Sequence, residues 1–388
     1  MSNISRLDNS LLARWWRNID HWMLGSIGLL IGFGYILMLA ASPAVAQRIG
    51  ASRDMFIFKQ IMFLSIAALI IMVTSMLSVE GIKRLGIIGS FIAILATAYT
   101  LVHGMEIKGA RRWIALPMMS VQPSEFLKPC FAVLTAWFLT RWNKRFYIPN
   151  LLITFIFYGV ILFLLKSQPD IGMLVVITAV LLTQLFVNGL NLFWVFSAFG
   201  AMIAAFIGAY TVFPHVRSRV ERFLHPNVGD HYQIDTALRA FGNGGMMGRG
   251  PGEGRVKDLL PDAHADFVFA VAGEEYGMIV CMIIILIFCF IVVRSLLKMI
   301  KEDNPFIILA TTGIITGFGL QAFINMASTL HLIPTKGMTL PFISYGGSSA
   351  MSVALAIGMV LALTRHRIEA PKFSKNGFQP FSKRNLVQ

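Results

Sequence analysis

The sequence predicts an all-α polytopic membrane protein: ten transmembrane helices, with one long extracytoplasmic loop between the seventh and the eighth. Three observations carry this. The 388 residues are 56% hydrophobic and only 13% charged, where soluble chains run near a quarter charged. Mean hydropathy is +0.70. Ten apolar runs approach the roughly 20 residues that a helix needs to cross the hydrocarbon core, and the alternating pattern of a spanning barrel is absent.

The expected spans are 23–42, 55–78, 85–103, 122–140, 149–165, 170–187, 191–213, 264–293, 306–330 and 340–364. Residues 1–22 are polar and charged and no small-residue cleavage pattern follows, so a retained first span is expected and not a signal peptide. The division is a cytoplasmic segment 1–22, a membrane domain 23–364 that includes the 214–263 loop, and a cytoplasmic tail 365–388. An even number of spans puts both termini on one side. That side holds 17 Lys and Arg against 9 on the other once the long loop is set aside, so both termini are expected in the cytoplasm. Cys130, Cys281 and Cys289 all fall in spans. They read as small buried side chains, with no disulfide framework or metal spacing.

The outward-facing basic residues are the exception to that charge bias. Lys108, Arg111 and Arg112 lie in loop 104–121, and Lys128 lies just inside a span. Arg217, Arg219, Arg222, Arg239, Arg249, Arg255 and Lys257 lie in the long loop, and Lys336 precedes the last span. Such charges work against insertion, so they serve either lipid headgroups or an anionic, phosphate-bearing ligand. Pro123, Pro169, Pro261 and Pro341 are placed at the starts of inward-running helices, a position that costs no hydrogen bond. Glu125 and Asp170 then fall in first turns, as dipole-favoured caps or as site residues. Converging helix N-termini would add to an anion site. Glu125 and Lys128 share a helix face, and Pro129 is expected to kink that helix. The segment 241-FGNGGMMGRGPGEGRV-256 has seven glycines. It is not a phosphate-binding P-loop, and no nucleic-acid partner is expected. It reads either as a flexible linker or as backbone that approaches or moves over a ligand.

The stretch 257-KDLLPDAHADFVFAVAGEEYG-277 gathers Asp258, Asp262, Asp266, Glu274 and Glu275 from only 19 acids. A helix starting near Asp262 would put Asp262 and Asp266 side by side at the outer surface. Glu274 would lie ~12 Å deeper and Glu275 on the opposite face, both buried in the membrane. Asp266 is a candidate general base, or a helix-start acid. Glu274 and Glu275 read as polar links between spans, or as a proton or ion path. No HExxH, GxSxG or metal-ligand spacing competes.

Several ordered motifs then resemble one family. They are 109-GARRWI-114, 122-QPSEFLK-128, 168-QPDIG-172, 231-HYQIDTALRAFGNGGMMGRGPG-252, 260-LPDAHADFVFAVAGEEYG-277 and 334-PTKGMTLPFISYGGSS-349. Together they resemble the SEDS family (shape, elongation, division, sporulation), and the last looks like its cell-division branch. The chain departs from many members in carrying Ala237 where they have Ser. The resemblance implies a peptidoglycan glycosyltransferase that polymerises lipid II at the outer face of the bacterial inner membrane, at the division site. It implies a class B penicillin-binding transpeptidase and other divisome membrane proteins as partners. It puts an essential acid at Asp266, a second acid at Asp258, and functional basic positions at Arg112 and Lys128. The remaining candidates for substrate binding are Glu125, Gln122, Lys336, Arg222 and Ser344. No cofactor is required by the motifs, although a divalent cation (Mg or Mn) could share the pyrophosphate; no metal ligand is assigned. A lipid II flippase and a non-catalytic scaffold for the transpeptidase are the alternatives.

Overall fold

In the computed structural model, the described residues are 10–48, 50, 55–107, 109–116, 119–141, 147–191, scattered positions between 193 and 221, 232–260, 262–334 and 337–365. A short amphipathic helix α1 (Leu11–Asn18) leads into α2 (His21–Arg48), α3 (Met55–Met76) and α4 (Val79–His103). A small antiparallel sheet follows, in the order β1 (Met105–Ile107), β2 (Ala110–Ala115), β3 (Ser120–Val121). Then come α5 (Pro123–Thr140), α6 (Tyr147–Ser167), α7 (Ile171–Val187), the loop helix α8 (Tyr232–Gly244), α9 (Val268–Met299), α10 (Pro305–Thr329) and α11 (Gly347–Thr364). Nine of the expected spans have a described helix; the seventh, 191–213, falls largely outside the described residues. Among the described residues, seven helices are long and apolar enough to cross a membrane. The chain is a multi-pass membrane protein.

Burial sets the layers. The spans α11 and α10 are 83% and 72% buried, whereas α6 and α4 are 22% and 28% buried. So α10 and α11 are central, together with α5, which has no exposed residue, while α4 and α6 present one face outward, where lipid would replace protein contacts. Close approach is made with small residues. A Cβ on Gly86 of α4 would come within 2.3 Å of Val133 on α5, and one on Gly358 of α11 within 2.7 Å of Thr74 on α3. Polar side chains staple the centre. Gln184 of α7 donates to the Ala132 and Leu309 carbonyls and accepts from Thr135, joining α5, α7 and α10. Pro129 lies inside α5 and has no N–H for the Glu125 carbonyl. Ser352 of α11 donates to that carbonyl at 2.7 Å instead.

One end of the bundle gathers α1 and the ends of α3, α9 and α11. Asp20 is buried there and accepts from Arg294 and Lys298, each at 2.7 Å. Lys298 also donates to the Thr364 carbonyl, and Trp15 of α1 donates to Ser75. The other end carries the sheet, α8 and the turns that precede α7, α9 and α11.

Three boundaries differ from expectation. The helix expected from Asp262 starts at Val268; residues 262–267 are a turn, because Asp262 adopts φ 54 and its carbonyl takes the N–H groups of Ala265 and Asp266. Pro341 does not open a helix: it lies in a turn, and α11 starts at Gly347. Asp170 is an N-cap that accepts from the Met173 N–H, and is not in the first turn. In addition, the described part of loop 104–121 folds as a sheet, and Gly109, just before β2, adopts φ 76. Cys289 is exposed, unlike Cys130 and Cys281.

Candidate active site

At the sheet end a cavity of about 390 Å³ is lined by Arg112 and Trp113 of β2, Asp170 and Gly172 of α7, Gln233 of α8, and Asp262, Asp266 and Gly337. Its walls are mostly polar, and its acids and its cation come from three separate parts of the chain.

Asp266 is placed by the turn described above and by α10. Asn325 donates to the Asp266 carbonyl at 3.0 Å and to the Met338 carbonyl at 2.6 Å; Thr329 reaches the Asp266 carbonyl at 3.5 Å. One α10 residue therefore sets the spacing between the Asp266 turn and the 337–340 segment. Gly337 packs directly against the carboxylate: a Cβ there would sit 2.9 Å from Asp266 Oδ2. Ser344 clamps the same region from behind, accepting from the Leu340 N–H and donating to the Ala265 carbonyl at 2.6 Å. His264 points away from the cavity into a cluster with Phe56 and Tyr345. Burial there holds its imidazole below its ordinary value, only partly offset by the Asp262 charge.

Arg112 is fixed before any ligand arrives. Its Nε donates to the Gln168 carbonyl at 2.8 Å and one terminal nitrogen to the Pro169 carbonyl at 2.7 Å; another lies 3.6 Å from Asp170. The turn before α7 thus orients the guanidinium on the cavity wall, and an Arg has five N–H donors, so some remain for a ligand. Gln122 supports the same turn through Asp170, at 3.3 Å.

The other expected site residues separate from this pair. Lys128 and Glu125 form an ion pair of 2.7 Å inside α5, and Lys128 also donates to Gln321 of α10. Neither lines the cavity. They reach it only through Gln321, which donates to the Thr339 carbonyl at 2.9 Å, two residues from Gly337. Asp258 is exposed on a 3-10 turn, Val256–Leu259, and also lies off the cavity lining. Ser344 is buried in backbone contacts. Arg222 and Lys336 lie outside the described residues. Among the described residues no group of three or more His, Cys, Asp or Glu is disposed to hold a metal ion.

Sequence reasoning missed Gln233, Gln321, Asn325 and Gly337. A signal existed for two of them. Gln321 and Asn325 are four residues apart in an apolar span, so both project from one face, and polar groups there need partners.

The glycine-rich segment has a role that neither expected reading describes. Helix α9 is broken at Gly277, where φ is 79. Segment 245–250 fills the break with its own backbone. Arg249 and Gly250 donate to the carbonyls of Glu274 and Glu275; Met278 and Ile279 donate to those of Gly245 and Met246. A Cβ on Gly248 would meet the Glu275 carbonyl at 2.2 Å, so the approach requires glycine. The backbone here approaches backbone, not ligand.

Glu274 and Glu275 belong to this splice. Both are buried, and both pack against the loop. Glu274 accepts from the N–H groups of Arg255, Val256 and Lys257 and from Asn243. Glu275 pairs with Lys257, which also donates to the Ala40 carbonyl of α2.

Comparison with known proteins gives a consistent result. The cell cycle protein family of FtsW, RodA and SpoVE matches residues 21–369. A Caulobacter vibrioides protein described as a probable peptidoglycan glycosyltransferase FtsW is 40% identical over 367 residues, 94% of this chain and 93% of its own length. One from Trichlorobacter lovleyi with the same description is 31% identical and covers 92% and 96%. Among solved structures, a chain of a peptidoglycan synthase complex that coordinates polymerization and crosslinking superposes with a TM-score of 0.75 at 22% identity, covering 89% and 97%. The Thermus thermophilus rod shape determining protein RodA gives 0.66 at 22% identity, covering 90% and 97%.

Proposed function

We propose that this chain, which belongs to the FtsW/RodA/SpoVE family of cell cycle proteins, is a peptidoglycan glycosyltransferase that polymerises lipid II at the outer face of the inner membrane during cell division. The observation that carries the chemistry is that Asp266 and a pre-oriented Arg112 line one cavity of about 390 Å³ at the sheet end of the bundle.

The reaction suits that pair. The donor sugar is linked to a lipid pyrophosphate, an anionic leaving group that needs charge stabilisation and no protonating acid. One base and nearby cations suffice, unlike the two carboxylates of glycoside hydrolysis. Asp266 accepts the proton of the acceptor sugar hydroxyl as that oxygen bonds to the anomeric carbon of the donor. The bond from that carbon to the phosphate oxygen breaks, and its electron pair leaves with the pyrophosphate. Arg112 holds the pyrophosphate oxygens; fixed donors stabilise developing charge without reorganising. Arg222 and Lys336 are further candidates for this charge.

The cavity end faces outward in this reading, because the opposite end carries the cationic excess that marks cytoplasmic loops. Both termini are then cytoplasmic. The partner is a class B penicillin-binding transpeptidase, in line with the similar fold seen in a peptidoglycan synthase complex, and other divisome proteins assemble with it. The buried charges favour an enzyme over a lipid II flippase. Lys128 is closed off by Glu125 and Gln321, and Glu274 by four donors, so neither lines a passage. The test is Asp266→Asn in membranes reconstituted with lipid II and the cognate transpeptidase. Loss of glycan polymer with normal insertion supports the reading; full polymer overturns it.

A further inference from the structure

The carboxylate of Glu274 takes four donors from one segment, although it sits eight residues past Asp266 on a different element. Three are the consecutive backbone N–H groups of Arg255, Val256 and Lys257, at 2.8 to 3.0 Å, and the fourth is Asn243 at 2.9 Å. These contacts close both ends of the segment 243–257 onto one side chain. Arg249, in its middle, donates back to Asn243 through both its Nε and a terminal nitrogen. The segment is therefore tied to α9 at its two ends by the carboxylate and at its centre by the backbone bonds across Gly277.

The part of α9 held in this way is short. Residues Val268–Tyr276 lie between the Asp266 turn and the break at Gly277. Cut off from the rest of α9, two and a half turns of helix have little stability of their own. Their position is set by what packs on them. Phe241 of α8 lies over Gly273, where a Cβ would meet it at 2.2 Å, and its ring centroid is 5.8 Å from that of Phe269. Gly244 meets the Gly273 carbonyl. The same helix α8 supplies Gln233 to the cavity wall. Thus the brace that holds this short helix also holds a second wall of the cavity.

We propose that Glu274 is a positioning residue for the glycosyl transfer: it locks the 243–257 segment into the break of α9 and so fixes both Asp266 and Gln233 at the cavity. This rests on the reaction assigned above, yet its structural half is independent of it. Glu274 contacts no cavity atom, so its effect passes through geometry alone.

The test uses Glu274→Gln in the full-length protein with its transpeptidase. Glutamine keeps the volume but puts an N–H group where the carboxylate received one, so at least one donor of the segment loses its acceptor. Hydrogen exchange should rise in 243–257 and 262–276 and stay at parental levels in α10 and α11. The turnover number on lipid II should fall ten- to a hundredfold, the cost of a misplacement near one ångström, while KM stays within about twofold. Parental exchange and parental rates together would overturn the proposal, as would raised exchange with an unchanged rate. If this variant does not accumulate, Asn243→Ala removes only one of the four donors and should show the same signs at smaller size; parental rate and exchange in it would equally count against the proposal. Raised exchange in Glu274→Gln combined with full activity of Asp266→Asn would sink the assigned reaction and leave the brace standing.

Discussion

Asp266 and Glu274 stand in one short acidic stretch, yet the two carboxylates are treated in opposite ways. Asp266 borders a cavity, with a glycine where a side chain would crowd it. Glu274 is fully buried and surrounded by four donors, one at the end of α8 and three in the loop that follows it. Residue type does not separate a reactive acid from a structural one; the environment does. A carboxylate enclosed by four N–H donors is committed to holding those groups and is closed to a substrate. A carboxylate that borders a cavity can be reached from it.

The comparison can be broken most severely at Asp266. Asp266→Asn should reduce polymerisation by about 10²- to 10⁴-fold, the usual contribution of a positioned base, with little change in thermal midpoint. Glu274→Ala should add a large loss of stability to the rate loss expected of a positioning residue. It leaves several buried N–H groups without an acceptor, each costing about 1–3 kcal/mol, so the purified protein should melt well below the parent in the same detergent. Equal stability losses for the two variants would erase the distinction.

Smaller changes sharpen it. Gly337→Ala adds one methyl within 2.9 Å of the Asp266 carboxylate. It should lower the rate about tenfold, since displaced catalytic groups lose rate steeply, and leave the melting temperature near the parent. The least effect is expected at the far end. Burial pushes the Asp20 carboxyl up, but the bonds from Arg294 and Lys298 more than offset this and hold it well below the ordinary carboxylate range. A depressed native value means that the unfolded chain binds the proton more readily. This stabilisation is therefore full above an unfolded value of about 3.9 and is lost as pH falls through the lower native one. Asp20→Asn should cost about 1–2 kcal/mol at neutral pH, because both cations are partly exposed. It should also flatten the acid limb of a stability profile, with polymerisation at neutral pH unchanged.

The helices were legible because membrane insertion writes them in long apolar runs. The cavity was legible in part. Asp266 and Arg112 were singled out by motifs that resemble the family's, and both line the cavity. Two things were not legible. The turn at 262–267 depends on one left-handed Asp262, and a helical pattern continues straight through it in sequence. The break at Gly277 depends on contacts with residues some thirty positions earlier, so seven glycines read as looseness when they are the condition for close backbone packing. Lys128 and Glu125 were equally visible as charges, but their partner Gln321 comes from a helix far away in sequence. Only the fold shows that they form a closed unit behind the cavity instead of a wall of it.

The most direct measurement is polymerisation of purified lipid II by the protein reconstituted with its transpeptidase, comparing the parent with Asp266→Asn. The assignment predicts long glycan strands from the parent and none above background from the variant, at equal amounts of inserted protein. Strands of parental length and yield from Asp266→Asn would contradict it.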